Sequence, residues 1–197
     1  MTEKVREPYT FVKQKIQSLL YAPESTISRT LAQMRRGVGK HPGSTPWLWD
    51  VTLAGLPESM LSGNYYGDPT YGEWAVHTAM TLFALHQQGH DPKSAPMSMD
   101  EEKLGKAIRK LVVKDEDLPR IKRRFDAMIT SDNMNEVSHH LRGLIQLLKS
   151  KHIPLDYPSL AQDLYWFQVQ KTRDNVRLKW GQEFYHKEKE EAKENGE

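Results

Sequence analysis

Apolar residues recur along most of the chain at intervals of three and four, the spacing that places side chains on one face of an α-helix. Alternation of apolar and polar residues, which is typical of a half-buried strand, is hard to find. The apolar stripes predict helices over residues 10–20, 26–36, 46–53, 74–88, 98–112, 118–129 and 134–150, and from 158 onward. We therefore expect an all-α fold of about eight helices.

Capping residues predict several of the helix boundaries. Residues 70–73 (TYGE) and 98–101 (SMDE) both have the capping-box pattern, in which each end of the motif caps a backbone N–H group of the other. Each is therefore predicted to start a helix. Asp117 and Asp156 each precede a helix that carries proline in its first turn. The long final helix is expected to break near Asp174.

A segment rich in proline and polar residues, 91–96 (DPKSAP), is the best candidate for a linker. It predicts an N-terminal helical bundle over residues 1–95 and a C-terminal bundle over residues 96–186, packed together as one elongated molecule. The last eleven residues, 187–197, hold three Lys and five Glu, and we expect them to form a solvated, disordered tail.

Charge is distributed unevenly along the chain, although the formal net charge is only +2. Residues 103–124 contain nine Lys or Arg against three Asp or Glu. A local excess of positive charge in a chain that is almost neutral overall indicates a directed contact with an anionic partner.

Several classes of protein are excluded or disfavoured by what the sequence lacks. Because there is no cysteine, disulfides, thiolate metal ligands and cysteine nucleophiles are excluded. The first residues lack the apolar run of a signal peptide, and no apolar run approaches the ~18 residues that would indicate a membrane span. We expect a soluble, cytoplasmic protein without membrane contact.

Motifs for catalysis, metal binding and nucleotide binding are not satisfied. His86 and His90 have the spacing of metal ligands, but Gly89 is expected to end the helix between them, which favours a helix C-terminus instead. Residues 37–40 (GVGK) lack the P-loop frame and follow a helix, although such a turn could still donate N–H groups to a phosphate. Neither a serine elbow nor a carboxylate cluster is present. We predict no enzymatic activity, no metal and no cofactor.

Clusters of basic residues are the strongest remaining signal. The clusters are Arg29, Arg35, Arg36 and Lys40; Lys106, Arg109 and Lys110; and Arg120, Lys122, Arg123 and Arg124. Such clusters are usually only the solvated outer faces of helices. Phosphate binding is favoured here because arginine outnumbers lysine in several clusters and because the clusters lack the glutamate partners at i, i+4 that are expected of a self-neutralised surface.

Aromatic rings can add base stacking to phosphate contacts when they are exposed. The residues predicted to be exposed are Tyr65, Tyr66 and Tyr71. The residues predicted to be packed in the interior are Trp47, Trp74, Trp166 and His77.

Six segments together resemble the CasB family, the small subunit of the type I-E CRISPR Cascade complex. They are LAQMRRG at 31–37, WAVHTAMTLFALHQQG at 74–89, KRRF at 122–125, HLRGLIQLL at 140–148, LDY to LAQDL at 155–164 and WGQEFY at 180–185. Each segment is weak alone, whereas their order and spacing over residues 25–186 are specific. The departures are Met34, where the family usually has leucine, and the tail, which lies outside the pattern.

This resemblance implies two helical bundles and no catalysis. It implies that two copies of the subunit lie head to tail in Cascade, with the crRNA-bound backbone subunits and the large subunit as further partners. It also implies that the subunit stabilises the R-loop formed by crRNA and target DNA, with basic residues along the displaced single-stranded DNA.

The resemblance also divides the basic residues into those that lie in or beside a family segment and those that do not. Those in or beside the L-R-R-G segment are Arg29, Arg35, Arg36 and Lys40, and those in the R-R-F and H-L-R-G segments are Arg123, Arg124 and Arg142. Lys106, Arg109 and Lys110 depend on the charge pattern alone. We expect these residues to contact nucleic acid. The alternative is a structural spacer whose basic faces contact only neighbouring Cascade subunits.

Overall fold

The computed structural model of the chain describes residues 7–61 and 67–186. Within these ranges the chain forms α-helices and no β-strand, so the prediction of an all-α fold is confirmed. The helices are α1 (Glu7–Leu20), α2 (Glu24–Arg35), α3 (Trp49–Thr52), α4 (Glu58–Leu61), α5 (Tyr71–His86), α6 (Leu104–Arg109), α7 (Leu118–Ile129), α8 (Met134–Ser150), α9 (Tyr157–Gln168) and α10 (Gln170–Tyr185). None of the helices in these ranges is long and apolar enough to cross a membrane. Tyr65, Tyr66 and the predicted tail lie outside the described residues.

Helix α5 lies at the centre of the fold because its sequence is apolar on most sides. The capping box predicted for it is confirmed. The Glu73 backbone N donates to Thr70 Oγ1 at 3.2 Å, and the Thr70 backbone N donates to the Glu73 carboxylate at 2.8 Å. Helices α1, α2, α8 and α9 pack around α5.

The buried apolar side chains form one continuous cluster, from Phe11 in α1 to Phe184 in α10. Helix α9 extends this cluster because it packs against α1, α5 and α10. Packing therefore crosses the linker predicted at residues 91–96. The division into bundles of residues 1–95 and 96–186 stays a prediction. Two bundles that pack together can share one hydrophobic core, so the continuous cluster does not decide between one bundle and two.

The predicted helix start at residues 98–101 is wrong. Ser98 forms an isolated β-bridge, Glu101 has a left-handed φ of 65°, and α6 begins only after this segment. Asp156 explains the difference, because its carboxylate accepts hydrogen bonds from the Glu101 backbone N–H and from the Lys103 ammonium group. A partner that is distant in sequence thus replaces the local helix cap.

The sequence predicted a break of the final helix near Asp174. The break lies instead at Val169. Val169 is extended, with ψ of 112°, and it separates α9 from α10. Side chains that follow the break stabilise it, because Thr172 Oγ1 donates to the Trp166 carbonyl at 2.7 Å. Arg173 Nε donates to the next carbonyl at 2.9 Å. A continuous helix would use these two carbonyls for its own N–H groups.

Helix α6 lies directly on α10 because residue 105 is glycine. A Cβ at Gly105 would come within 2.7 Å of the Glu183 side chain and of the Phe184 backbone N. Gly181, on α10 itself, provides a matched control because a Cβ there would meet no atom within 4 Å.

We expect Gly105→Ala to lower the free energy of unfolding by about 2 kcal/mol, because the added methyl group pushes α10 away. Gly181→Ala is expected to leave it unchanged or to raise it by up to about 1 kcal/mol, because alanine is the better helix former. Urea unfolding of the three proteins measures both values. Equal effects of the two substitutions would contradict the close packing of α6 on α10.

Candidate nucleic-acid interface

Two of the predicted basic segments meet where α7 packs against α8. The guanidinium group of Arg124 lies beside Gly143, and its Nη1 is 3.6 Å from the position that a Cβ on this glycine would take. Arg142 precedes Gly143 on α8, and Arg123 precedes Arg124 on α7. All three arginines are exposed, and none of them forms an ion pair with any residue that the structure describes. Their charges are therefore available to a partner.

One face of α8 extends this cluster. Arg142, Gln146 and Lys149 are separated by four and three residues, the spacing of side chains on the same side of a helix. The three residues cover about 10 Å of the helix axis at 1.5 Å per residue. At the end of this face, Lys149 Nζ donates to Gln88 Oε1 at 3.0 Å. The face thus leads from Arg142 to the segment that follows α5.

A groove of about 430 Å³ leads from that segment to α2. Residues 88–90 line this groove and also the shallow depression beside Lys149. Arg35 is half-buried and lines the groove from α2. We call this continuous surface the basic track, and its cations are Arg123, Arg124, Arg142, Lys149, Arg35 and Lys93.

The groove at Arg35 is the less positive end of the basic track. Glu24 and Asp91 line it as well, so they offset the charges of Arg35 and Lys93 there. The Asp91 carboxylate accepts a hydrogen bond from Ser94 Oγ at 2.6 Å, which together with the backbone N–H of Lys93 lowers its pKa, so it stays ionised. We therefore expect an anionic ligand to be held more tightly at the α7–α8 end than at Arg35.

Three other basic residues of the predicted clusters are paired with carboxylates within the chain. Ion pairs join Lys110 to Glu102, Arg120 to Asp117 and Lys122 to Asp126. On α6, the guanidinium group of Arg109 lies 6.0 Å from the centre of the Phe184 ring, and Lys106 is half-buried. The expectation that the three paired residues lack carboxylate partners is wrong. The partner of Lys122 lies four residues away but is an aspartate, and the partners of Arg120 and Lys110 lie three and eight residues away.

Arg29 and Arg36 lie on a different face of α2 from Arg35, and Lys40 lies in the turn that follows the helix. Gln33, at a helical spacing from both Arg29 and Arg36, donates to the backbone carbonyl of Trp47. Lys40 Nζ lies 5.3 Å from the centre of the Trp47 ring. Arg29, Arg36 and Lys40 are exposed and form no ion pair within residues 7–61 and 67–186. The structure thus divides the predicted set between two surfaces.

Trp47 is 49% exposed, so its predicted position in the interior is wrong. It lies in the 3₁₀ turn Pro46–Leu48, where Leu48 is fully buried and takes the inward position. Trp49 was missed by the reasoning from sequence and is 45% exposed. The sequence contains no local signal for this exposure, because the order Trp-Leu-Trp does not show which of the three apolar side chains is buried.

The other predictions for aromatic residues and for His77 are confirmed where the structure describes them. Tyr71 is exposed, and Trp74 and Trp166 pack against the core. His77 is buried. Burial lowers the pKa of His77 to about 4, and the nearby backbone at Gly37 offsets this effect only in part.

Gly37 lets the L-R-R-G segment pack closely on α5. A Cβ at Gly37 would collide with the Leu48 side chain and come within 3.3 Å of the His77 ring. This close approach, and not a phosphate loop, accounts for the first glycine of the GVGK turn. The second, Gly39, has a φ of 73°, a conformation that glycine adopts readily.

His86 ends α5 with its ring turned into the interior. Its Nδ1 lies 3.0 Å from the Tyr157 hydroxyl, which also donates to the Leu82 carbonyl at 3.2 Å. Burial lowers the pKa of His86 to about 4, so the ring is neutral at pH 7. No group of three or more metal-binding side chains occurs among the described residues.

Several of the segments that resemble the CasB family contact one another inside the fold. Trp180 Nε1 donates to Asp163 Oδ2 at 2.9 Å, and Lys179 Nζ lies 2.6 Å from Oδ1. Burial raises the pKa of Asp163, and the attraction to Lys179 opposes this effect. Glu183 accepts the Gly105 N–H at 3.1 Å. These polar contacts join α6, α9 and α10.

A family model described as CRISPR-associated protein Cse2 matches residues 30–185 of the chain. The chain belongs to the Cse2 family. The resemblance to CasB is thereby confirmed. The Cse2 family is a component of the Cascade complex, so other Cascade subunits are partners of the chain.

Solved structures of the Cse2 family have the same fold. CasB from Thermobifida fusca is 28% identical with a TM-score of 0.73, and the match covers 91% of this chain and 98% of that one. A Cse2-family protein from Thermus thermophilus is 17% identical with a TM-score of 0.69, covering 91% and 98%. CasB from M. ruber is 22% identical with a TM-score of 0.63, covering 91% and 93%. A comparison with curated proteins found no match.

Proposed function

We propose that this Cse2-family subunit stabilises crRNA-guided R-loops by holding the displaced DNA strand along the basic track. The observation that carries the proposal is the continuity of the track. Arginines from α7 and α8 lie side by side, and the same face of α8 leads through Lys149 to the groove at Arg35. A connected series of cations fits a linear polyanion better than it fits a compact anion.

The energetics of an R-loop make such a surface useful. The RNA–DNA duplex that forms is about as stable as the DNA duplex that it replaces, so modest additional contacts decide the balance. Each phosphate that the track neutralises releases condensed counterions, which favours binding independently of sequence. Free energy of this kind requires no catalytic step, and we propose a non-catalytic role.

A binding experiment on the isolated full-length chain tests the proposal at Lys149, a cation that the structure adds to the predicted nucleic-acid-binding residues. We expect Lys149→Ala to weaken the binding of single-stranded oligothymidylate about fivefold, because one phosphate contact contributes about 1 kcal/mol. The slope of log affinity against log salt should become shallower by about 0.7. Fluorescence anisotropy at several salt concentrations measures both quantities.

Lys171→Ala is the control, because Lys171 is an exposed lysine in the first turn of α10 that lines neither the groove nor the depression of the basic track. It should leave the affinity and the salt slope close to those of the unaltered chain. If both lysine variants lose the same affinity, the binding depends on total charge and the basic track has no special role.

A second candidate function is that of a structural spacer within Cascade. Exposed apolar side chains favour it, since Val113 is 71% exposed and Leu178 is 61% exposed. Side chains of this kind are common where proteins contact one another. We propose these residues as contacts to a second copy of the chain or to the backbone subunits, a role that can coexist with strand binding.

A further inference from the structure

The geometry points to a base-stacking site at Trp47 and Trp49, next to the basic track, for the unpaired bases of the single strand. This inference rests on the proposed function, because it takes the displaced strand as the ligand. We call Trp47, Trp49 and Lys40 the aromatic patch.

Two large rings are unusually accessible in the aromatic patch. Trp47 is 49% exposed and Trp49 is 45% exposed, although they flank a fully buried Leu48. Trp49 also forms a wall of an open cavity of about 580 Å³, together with Pro42, Leu53 and Pro69. Flat apolar walls of this size offer a surface on which a nucleobase can stack, and stacking tolerates any base because each has a π-face.

The Trp49 ring and the backbone of Trp47 are held in place before any ligand binds. Trp49 Nε1 donates to the Pro42 carbonyl at 2.9 Å, and the Trp47 backbone carbonyl accepts a hydrogen bond from Gln33. Leu48 anchors the turn in the core. Because these bonds fix the turn, little conformational entropy is lost when a base stacks on it.

The charge around the aromatic patch favours a nucleic acid over a protein partner. Lys40 Nζ lies 5.3 Å from the centre of the Trp47 ring, and Arg36 and Arg29 are at helical spacings from Gln33, which binds the Trp47 carbonyl. None of these three cations forms an ion pair inside the described part of the chain.

Two carboxylates line the cavity beside Trp49, and both already accept hydrogen bonds from the backbone. Asp50 accepts one from the Val51 backbone N at 2.9 Å, and Glu73 accepts one from the Thr70 backbone N at 2.8 Å. Exposed cations beside exposed rings are the combination found in single-strand binding sites, where phosphates and bases are bound together.

The sequence connects the aromatic patch to the basic track. Arg35 lines the groove of the track, whereas Arg36, the next residue, lies on the face of α2 that carries Gln33. A strand that leaves the groove at Arg35 can therefore pass over the end of α2 to reach Trp47. The track would hold phosphates, and the patch would bind bases.

Substitutions at Trp47 distinguish stacking from charge. We expect Trp47→Leu to weaken oligothymidylate binding by the full-length chain about tenfold, whereas Trp47→Phe keeps a ring and recovers most of the affinity. The salt slope should not change, because no phosphate contact is removed. Tyr21→Leu is the control, since Tyr21 is 91% exposed and lies before the first turn of α2, at the opposite end from Gln33.

An abasic oligonucleotide of the same length provides a second measurement. Trp47→Leu should leave its affinity unchanged, because it has phosphates but no bases to stack. Equal losses with the intact and the abasic strand would overturn the stacking site. So would an unchanged affinity of Trp47→Leu for the intact strand.

Photocrosslinking in the assembled complex locates the contact. We expect 5-iodouracil placed along the displaced strand of an R-loop to crosslink to the peptide that contains Trp47 and Trp49. Crosslinks confined to α7 and α8 would overturn the aromatic patch and leave the proposed function intact. Absence of crosslinks to this chain at every position of the strand would contradict the proposed function itself.

Discussion

Replacing Arg123, Arg124 and Arg142 together with alanine is expected to weaken single-stranded DNA binding by roughly 100-fold, at about 1 kcal/mol for each lost contact. The slope of log affinity against log salt should become shallower by about 2, since each phosphate contact with a single strand contributes about 0.7. Anisotropy titrations of the full-length chain with oligothymidylate measure both effects. The three side chains are exposed, so the fold should be retained, as circular dichroism would verify.

The pairing of charges supplies a matched control for this result. A double variant, Lys110→Ala with Arg120→Ala, removes cations that already bind Glu102 and Asp117. It should lose far less affinity than the triple variant. Comparable losses per charge removed would mean that the overall field of the protein, and not the exposed arginines of the track, binds the strand.

The stability of the chain is expected to fall steeply between pH 6.5 and pH 4. Burial lowers the pKa of His77 and of His86 to about 4, whereas an unfolded histidine has a pKa of about 6.5. The contribution of each ring is therefore complete above pH 6.5, decreases as the pH falls from 6.5 to 4, and levels off below pH 4. The loss is about 3 kcal/mol for each histidine at pH 4.

Two carboxyl groups have the opposite effect on stability as the pH falls. Their contribution has to be separated from that of the histidines. Burial raises the pKa of Asp163 and of Glu183, so their protonation stabilises the fold as the pH falls. Urea unfolding of the unaltered chain and of His77→Leu across pH 4–7 isolates the histidine, because the variant should lack about 3 kcal/mol of the decrease. A control variant, His139→Gln, alters an exposed ring and should keep the full decrease. Identical profiles for all three proteins would contradict the account of His77.

The helices could be predicted from sequence where local signals decide them. The apolar periodicity located α1, α2, α5, α7 and α8, and the capping box placed the start of α5 correctly because Thr70 and Glu73 bond to each other. The same pattern failed at residues 98–101, where the carboxylate of Asp156 binds the segment instead. The break at Val169 was missed for a related reason, since side chains from the following turn occupy the carbonyls of α9.

The candidate site could be predicted only in part. Composition located the cations, and the segment order grouped Arg123, Arg124 and Arg142, but neither could show that Arg124 lies beside Gly143. Lys149 could have been found from its spacing of seven residues from Arg142. The ion pair between Lys110 and Glu102 could not have been found from the sequence, because it depends on the path of the chain before α6.

Exposure of Trp47 was beyond prediction for a different reason. A tryptophan is usually packed, and only the burial of Leu48 in the same turn determines that Trp47 and Trp49 lie outside. Burial of one residue is a property of the whole fold, and hydrophobicity along the sequence does not determine it locally.

The lifetime of the R-loop in the assembled Cascade complex tests the central claim most directly. Complexes with the unaltered subunit and with the triple arginine variant are compared on double-stranded target DNA and on the target strand alone. We predict that the variant shortens the lifetime on double-stranded DNA and leaves binding to the lone target strand unchanged, because the basic track holds the displaced strand. Equal losses on both substrates would contradict the account, since the arginines would then act through assembly or through the target strand.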